Sequence, residues 1–323
     1  MPSLSLPIHS YNQPSRAPAR VVNCFAQQTV GKTPVELLGA PGIVSWCDLG
    51  GGGRGLYVMR GTLYAVAGSV LYKIDENGGA TSLGTVSGSG KLMFAGNGVE
   101  IVLSNKTIFS NGAVSTITDP DLPAISAIGY IDGYVVYTES GSGRWGCSEL
   151  YAGATYDALD FASTEAYPDD LVTLAVDHRQ VLLFGQETTE IWWNSSAGAG
   201  FPFERLAGGF LEYGRLSVHG VAKQDNSVFW LANDRTIRRL SGQTPMRVSQ
   251  HGVEEKIAGY ARVDDCEAFP YSWNGHLFVV FRFPEAGACW TLDVTTGEWH
   301  ERATYGASAW DVRDAVYCYG RVF

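Results

Sequence analysis

Six segments of the chain repeat one pattern, and their spacing limits the folds that the chain can adopt. Each contains a strand of alternating apolar and polar residues, a short polar or glycine-containing turn, and a second alternating strand. Further strand-like segments often flank the pair, so that each unit holds about four antiparallel strands. A period of about 35–50 residues with four strands is typical of a β-propeller blade. The segments begin at Leu63, Val99, Tyr134, Val181, Val228 and Leu277, with spacings of 36, 35, 47, 47 and 49 residues.

Glycine-containing dipeptides mark turns between these strands. Asn97-Gly98, Asp132-Gly133 and Asn274-Gly275 each stand between two strand-like segments. Such dipeptides favour the type I′ turn of a tight hairpin, because both central residues of that turn need positive φ. We therefore predict an all-β fold, a β-propeller of about six four-stranded blades. Strands near the two ends of the chain could together form a composite seventh blade.

Charge separates the first 35 residues from the rest of the chain. The whole sequence has a formal net charge of −10, and residues 1–35 contain Arg16, Arg20 and Lys32 but no acid. That segment is therefore +3, and the remainder is −10 − 3 = −13. Four prolines among its first 18 residues indicate an extended N-terminal arm, residues 1–35, followed by a propeller domain, residues 36–323. The acidic domain could surround nucleic acid without adhering to it.

Residue types that bind metals or form disulfides are widely dispersed. Six cysteines occur without a CxxC pair, which predicts buried free thiols. The six histidines form no HxH or HExxH pattern, so we expect no metal and no other cofactor. The sequence has neither a secretory leader nor an apolar run of roughly 20 residues. We therefore expect a protein that is made in the cytoplasm and does not enter a membrane.

The segment WHER, residues 299–302, groups residue types that often occur in active sites. Asp293 and Gly297 precede it, and a reverse turn between them would make it the return strand of a hairpin. Successive side chains of a strand point to opposite faces, which separates its first and third residues from its second and fourth. We interpret the segment as structural and expect His300→Ala to leave function intact.

Three pairs of neighbouring acids could supply the carboxyl groups of a glycosidase. They are Asp169-Asp170, Glu254-Glu255 and Asp264-Asp265. Glycoside hydrolysis needs two carboxyl groups about 5–10 Å apart, and no sequence pattern brings two of these pairs together. We interpret them as solvated loop charges. A propeller enzyme of the glycosidase or quinoprotein type is thus an alternative without a located site.

The segment FPFERLAGGFLEYG, residues 201–214, combines aromatic, charged and glycine residues. Pro202 should keep it extended and out of a central strand, and Gly208-Gly209 should break the strand. Such a segment could cap a blade or present a contact surface, and the residues favour neither role. Together with the arginines of the arm it supplies the candidate interface residues, which are Arg16, Arg20, Phe201, Pro202, Phe203, Glu204 and Arg205.

Motifs along most of the chain resemble a known family, the packaged-DNA stabilisation proteins, or tail accessory factors, of short-tailed phages. The similarity extends over about residues 20–305. The motifs occur in the same order as in that family. They include Asn23-Cys24-Phe25, Asp119-Pro120-Asp121, Tyr130-Ile131-Asp132-Gly133-Tyr134, Leu159-Asp160-Phe161-Ala162, Phe201-Pro202-Phe203-Glu204-Arg205, Phe229-Trp230-Leu231 and Trp299-His300-Glu301-Arg302.

This resemblance implies a structural protein of the virion tail, assembled in the bacterial host. It implies a hub or nozzle subunit that forms a ring, most often six-fold, below the portal and its adaptor. Such a ring retains packaged DNA, forms the channel through which the genome passes without sequence-specific binding, and docks a tail needle or tailspikes. The family supplies no catalytic residues. A peptide-binding propeller scaffold is a further alternative.

Overall fold

The computed structural model describes residues 20–28, 35–196 and 200–323. Six four-stranded antiparallel sheets occur within these ranges, and each is formed by four consecutive strands. The fold is a six-bladed β-propeller, which confirms the predicted class. Consecutive strands pair because short turns bring each strand back beside the one before it.

The sheets are numbered as blades in chain order. Blade 1 contains β3 (Gly53–Met59), β4 (Thr62–Ala67), β5 (Val70–Ile74) and β6 (Ala80–Thr85). Blade 2 contains β7 (Phe94–Gly96), β8 (Ile101–Leu103), β9 (Thr107–Ser110) and β10 (Ala113–Thr116). Blade 3 contains β11 (Ile125–Ile131), β12 (Tyr134–Glu139), β13 (Arg144–Glu149) and β14 (Ala152–Ser163).

The second half of the chain continues the pattern. Blade 4 contains β15 (Leu171–Asp177), β16 (Gln180–Gly185), β17 (Thr189–Asn194) and β18 (Phe203–Leu211). Blade 5 contains β19 (Val221–Gln224), β20 (Ser227–Leu231), β21 (Ile237–Ser241) and β22 (Thr244–Arg247), and a short helix, α1 (His251–Ala258), follows it. Blade 6 contains β23 (Glu267–Trp273), β24 (His276–Phe283), β25 (Ala288–Asp293) and β26 (Glu298–Glu301).

The strands near the two ends form separate sheets instead of the composite seventh blade. β1 (Cys24–Gln28) pairs with β2 (Val35–Gly39), and β27 (Tyr317–Cys318) pairs with β28 (Arg321–Val322). Each pair is held where it buries its apolar residues. Phe25 packs on Phe278 of blade 6 with ring centroids 5.2 Å apart, whereas Cys318 joins an apolar cluster of blade 1 that includes Leu63.

The chain divides into two compact units. Unit 1 comprises Met1–Val44, His219–Ser241 and Pro245–Ala315, and unit 2 comprises Ser45–Val218, Gly242–Thr244 and Val316–Phe323. In unit 2, the indole of Trp145 packs edge-on against Trp192, with ring centroids 5.3 Å apart. In unit 1, Trp230 and Trp290 are 0% and 2% exposed, and Trp192 of unit 2 is 7% exposed. Large aromatic side chains thus fill the interior of both units.

The predicted type I′ turns form at two of the three dipeptides. Asp132-Gly133 has φ values of 49° and 99°, and Asn274-Gly275 has 48° and 79°. The prediction is wrong for Asn97-Gly98, because only the glycine has positive φ, at 90°. Four residues connect β7 to β8 there. The Asn97 Oδ1 accepts hydrogen bonds from the backbone N–H groups of residues 99 and 100, at 2.9 and 2.7 Å, and this stabilises a wider turn.

Candidate contact surface

The aromatic half of the segment 201–205 packs against the protein's own core. Phe203 is 3% exposed, and its ring lies 5.3 Å from Trp145 and 5.7 Å from Tyr134, centroid to centroid. Phe201 lies 5.0 Å from Trp145, and Pro202 is buried between the two phenylalanines. These three residues therefore cap the apolar cluster between β13 and β17.

The charged half of the same segment faces solvent. Glu204 and Arg205 are both exposed on β18, which is the last strand of blade 4 and has one unpaired edge. The Arg205 Nη1 lies 4.0 Å from the Glu190 Oε1, and the side chain of Glu190 is 1% exposed. Glu190 is fixed by hydrogen bonds from the Trp192 Nε1 and the backbone N–H of residue 166, at 2.9 and 2.8 Å. A buried carboxylate thus orients an exposed guanidinium on this edge.

Gly208-Gly209 does not end the strand, contrary to the sequence-based expectation. β18 continues to Leu211, and its pairing with β17 shifts register between Glu190 and Trp192. Gly208 has a φ of 75°, which a glycine adopts without steric cost. A bulge absorbs the extra residues while the strand continues on either side of it.

A polar groove lies beside Pro202 in unit 2. It has a volume of about 670 Å³, and tyrosines from two hairpins of blade 3 contribute to its lining. The Asp132 carboxylate accepts hydrogen bonds from the Arg179 Nη2 at 2.9 Å and the Asn194 Nδ2 at 3.3 Å. Hydrogen bonding to Asp132 raises the pKa of Arg179. The sequence patterns do not indicate this groove, although they do indicate the Asp132-Gly133 turn that forms one of its walls. The other lining residues include Tyr130, Tyr134, Tyr151 and Arg179.

Of the two arginines predicted as interface residues in the arm, the structure describes only the second. Arg16 lies outside the described residues. Arg20 binds its own chain, since its Nε donates a 3.0 Å hydrogen bond to the Glu301 Oε1 and its Nη2 contacts Oε2 of the same carboxylate. Residues 20–28 of the arm are packed, because a parallel bridge joins Val22 to Glu301 and the buried ring of Phe25 contacts blade 6. Residues 20–28 of the predicted arm thus lie against blade 6, and its residues 1–19 and 29–34 lie outside the described residues.

The WHER segment contains the last three residues of β26 and the residue after it. Its side chains contact other parts of the protein. Trp299, His300 and Arg302 are 3% exposed or less. The Trp299 Nε1 donates to the Val248 carbonyl oxygen at 3.0 Å, and the Arg302 guanidinium lies 4.1 Å from the Trp310 ring centroid. Burial and the positive charge of Arg302 lower the pKa of His300 to about 3. The structural interpretation therefore agrees with the contacts of these residues.

One of the acids interpreted as solvated is buried. Asp169 is 9% exposed, and its carboxylate accepts hydrogen bonds from the backbone N–H groups of Gln186, Glu187 and Thr188 at 2.9, 2.7 and 2.9 Å. Asp170 is exposed. Asp169 lies in a loop, but its interpretation as a solvated charge is wrong because its carboxylate is buried and holds the turn between β16 and β17.

The cysteines, histidines and acids of the described residues do not cluster into a site that could bind a metal ion. None of the six cysteines, all of which lie in the described residues, forms a disulfide, and four of them are buried. Burial raises the pKa of the Cys289 thiol to about 12. Within residues 20–28, 35–196 and 200–323, no group of three or more His, Cys, Asp or Glu could hold a metal ion. In the same residues no helix has the length and hydrophobicity needed to cross a membrane.

Comparison with known families identifies one match. The model of the phage stabilisation family, described as "Bacteriophage P22 Gp10, beta-propeller", matches residues 19–323. No curated protein sequence matches the chain.

Solved structures similar to this chain have low sequence identity to it. Virginiamycin B lyase from Staphylococcus aureus is 12% identical, with a TM-score of 0.52 over 82% of this chain and 88% of that one. A putative 6-phosphogluconolactonase from Bacteroides fragilis is 12% identical, with a TM-score of 0.49 over 77% and 82%. BamB from Moraxella catarrhalis is 13% identical, with a TM-score of 0.45 over 84% and 79%. At 12% identity, the similarity to virginiamycin B lyase shows a common fold alone, because one fold can carry many activities.

Proposed function

Because the chain belongs to the phage stabilisation family of bacteriophage P22 Gp10, it is a structural phage protein, and we propose that it is a tail hub or nozzle subunit. In this proposal the subunits form a ring, most often of six copies, below the portal and its adaptor. The ring retains the packaged DNA and forms the channel for its ejection. The observation that carries the proposal is the family match over residues 19–323.

The charge of the chain supports a channel that does not bind DNA tightly. Residues 36–323 have a net charge of −13, obtained above from the total of −10. Like charge repels the phosphate backbone, so a genome could slide past such a surface. Retention would then depend on a physical plug, supplied by a tail needle or another tail protein docked on the ring.

The exposed edge of β18 and the neighbouring groove support a role in assembly. Ring closure needs heterologous contacts, in which one face of a subunit meets a different face of the next. Glu204 and Arg205 present both signs of charge on an unpaired strand edge, and Glu190 orients the arginine. We assign this edge to a contact with a neighbouring subunit or the portal adaptor.

Binding to purified portal-adaptor rings tests the tail-hub role. We expect the wild-type protein to add a discrete ring, visible by electron microscopy and as a defined mass increase in light scattering. Wild-type protein that stays unbound at micromolar concentration would exclude the hub assignment.

A variant carrying Glu204→Ala and Arg205→Ala tests the contact edge separately. Its matched control carries Lys73→Ala and Glu76→Ala, which also removes one exposed charge of each sign, from blade 1. We expect weaker binding only for the first variant. Equal binding by both variants would show that the edge of β18 is not the contact surface, while the hub assignment would stand.

Nuclease protection of the packaged genome tests whether the protein retains DNA. Particles assembled without this protein should lose their genome, so that nuclease digests the released DNA and quantitative amplification detects a loss. Particles that hold their DNA equally well without it would contradict the stabilising role.

A further inference from the structure

Residues 20–28, here called the N-terminal clip, are fastened along β26. The backbone N–H of Asn23 donates to the Glu301 carbonyl oxygen, and the N–H of Glu301 donates to the Val21 carbonyl oxygen, both at 2.8 Å. The side-chain amide of Asn23 donates to and accepts from the backbone of Ala303, at 2.9 and 3.0 Å. Arg20 adds a two-point ion pair with Glu301. These contacts to β26 are polar, and Cys24–Gln28 of the clip also pair with β2.

Beneath these polar contacts the clip covers buried aromatic and ionisable groups. Phe25 is 2% exposed, and its ring lies edge-on to His276 and Phe278, with centroids 4.7 and 5.2 Å away. His300 packs edge-on against the same Phe278 at 5.7 Å. Val21 and residues 24–26 of the clip line a small cavity together with His300 and its neighbours on blade 6, and this cavity has no room for a water molecule. The clip therefore forms part of the wall that keeps water from His300.

Among the described residues, no hydrogen bond stabilises a positive charge at the Nε2 of His300. His300 itself is 1% exposed. The Asp293 carboxylate is engaged by the His276 Nδ1 at 2.6 Å and by the backbone N–H of residue 295 at 3.0 Å. The positive charge of Arg302, which is the residue after β26, disfavours protonation of His300.

The remaining ionisable groups around His300 give little compensation. Burial raises the pKa of Glu298, so desolvation disfavours its charged form as well. Cys24 contributes to the lining of the cavity from the clip side. Glu301 is already paired with Arg20. Together, burial and Arg302 lower the pKa of His300 to about 3.

We propose that the N-terminal clip is a proton-coupled latch, which is closed while His300 is neutral and released when His300 takes up a proton. Opening the clip admits water to His300, where the imidazolium form is stable. Closure requires the neutral form. Because the clip pairs with β2 in a sheet separate from the four strands of blade 6, it can open together with β2 while blade 6 stays folded.

The pH range of the latch follows from linkage. The pKa of His300 is lower in the closed state than in the open state, where it should be near the ordinary value of about 6.5. Closure is therefore fully favoured above about pH 6.5 and is progressively lost as the pH falls toward about 3. For one proton, the opening constant should rise about 30-fold between pH 7.5 and pH 5.0.

Hydrogen exchange tests the latch in the whole protein. The amides of Asn23 and Glu301 report on the clip, since both donate across it. The amides of Val279 and Val280, inside β24, report on blade 6 itself. Exchange rates are divided by the intrinsic rate at each pH to obtain the opening constant. We expect about a 30-fold rise at the clip amides and no comparable rise at the β24 amides.

Two neutral replacements, His300→Leu and His300→Gln, should remove the pH dependence, and either variant suffices if the other does not fold. Arg20→Ala should raise clip opening at every pH and keep the same ratio between pH 5.0 and 7.5. His251→Gln is the matched control, because that side chain is 93% exposed and should leave the ratio unchanged.

Three results would overturn the latch. The first is a flat pH profile at the wild-type clip amides. The second is a wild-type ratio that persists in the folded His300 variants. The third is an equal rise at the β24 amides, which would mean that the whole blade opens.

Discussion

Replacing Asp169 with alanine should destabilise unit 2 far more than the same change at Asp170. The Asp169 carboxylate accepts three backbone hydrogen bonds from residues 186–188, all between 2.7 and 2.9 Å. Hydrogen bonds to a charged group contribute about 1.5–3 kcal/mol each. The amides are partly buried, so water can replace some of what is lost. We expect the free energy of unfolding to fall by about 3–4 kcal/mol.

Urea unfolding followed by tryptophan fluorescence measures this loss, because Trp145 and Trp192 are buried in the same unit. Asp170→Ala is the matched control, since Asp170 is the exposed neighbour, and its effect should stay within about 0.5 kcal/mol. Hydrogen exchange at residues 186–188 then localises the change, and these amides should lose protection only in Asp169→Ala. Equal unfolding midpoints for the two variants would refute the assigned role of Asp169.

Three further predictions follow from other buried positions. Trp290→Ala should lower the free energy of unfolding by about 3–5 kcal/mol, and Trp193→Ala, which changes a side chain 40% exposed, should cost clearly less in the same urea assay. Gly214→Ala should cost about 3 kcal/mol, because the new Cβ would lie 2.4 Å from backbone atoms of the turn before β17. Both glycine variants are compared by their melting temperatures. Gly42→Ala is the control, and it should change the melting temperature little because no atom lies within 4 Å of its new Cβ. Cys289 should stay unmodified by iodoacetamide at pH 8, since burial raises the pKa of its thiol to about 12 and the thiolate is the reactive form; mass spectrometry of the native protein would detect any alkylation.

Local patterns were sufficient to predict the repeating architecture. Alternation within strands, glycine-containing turns and a steady spacing are properties of neighbouring residues, and they predicted about six four-stranded blades. The composite seventh blade that the sequence left open does not form among the described residues. The turns at Asp132-Gly133 and Asn274-Gly275 form as expected because positive φ is a property of the dipeptide itself. The Asn97-Gly98 turn differs because the Asn97 side chain bonds to two backbone amides and stabilises a longer connection.

The candidate contact surface was only partly predictable. The sequence identified residues 201–205 as unusual but could not divide them into a capping half and an exposed half. That division depends on Trp145, which lies more than fifty positions earlier in the chain and packs against Phe201 and Phe203. The groove beside Pro202 likewise forms from separate hairpins of blades 3 and 4.

The sequence by itself determined the fold class, an approximate number of blades and the family, because these depend on local pattern and on motifs in a fixed order. Only the tertiary structure distinguished Asp169 from Asp170, because the two residues are adjacent and of the same type. The Asp169 carboxylate accepts hydrogen bonds from backbone amides of the turn between β16 and β17. The tertiary structure also decided that Arg20 binds Glu301, 281 positions away. Burial and ion pairing are properties of groups brought together by folding, and a linear pattern does not contain those distances.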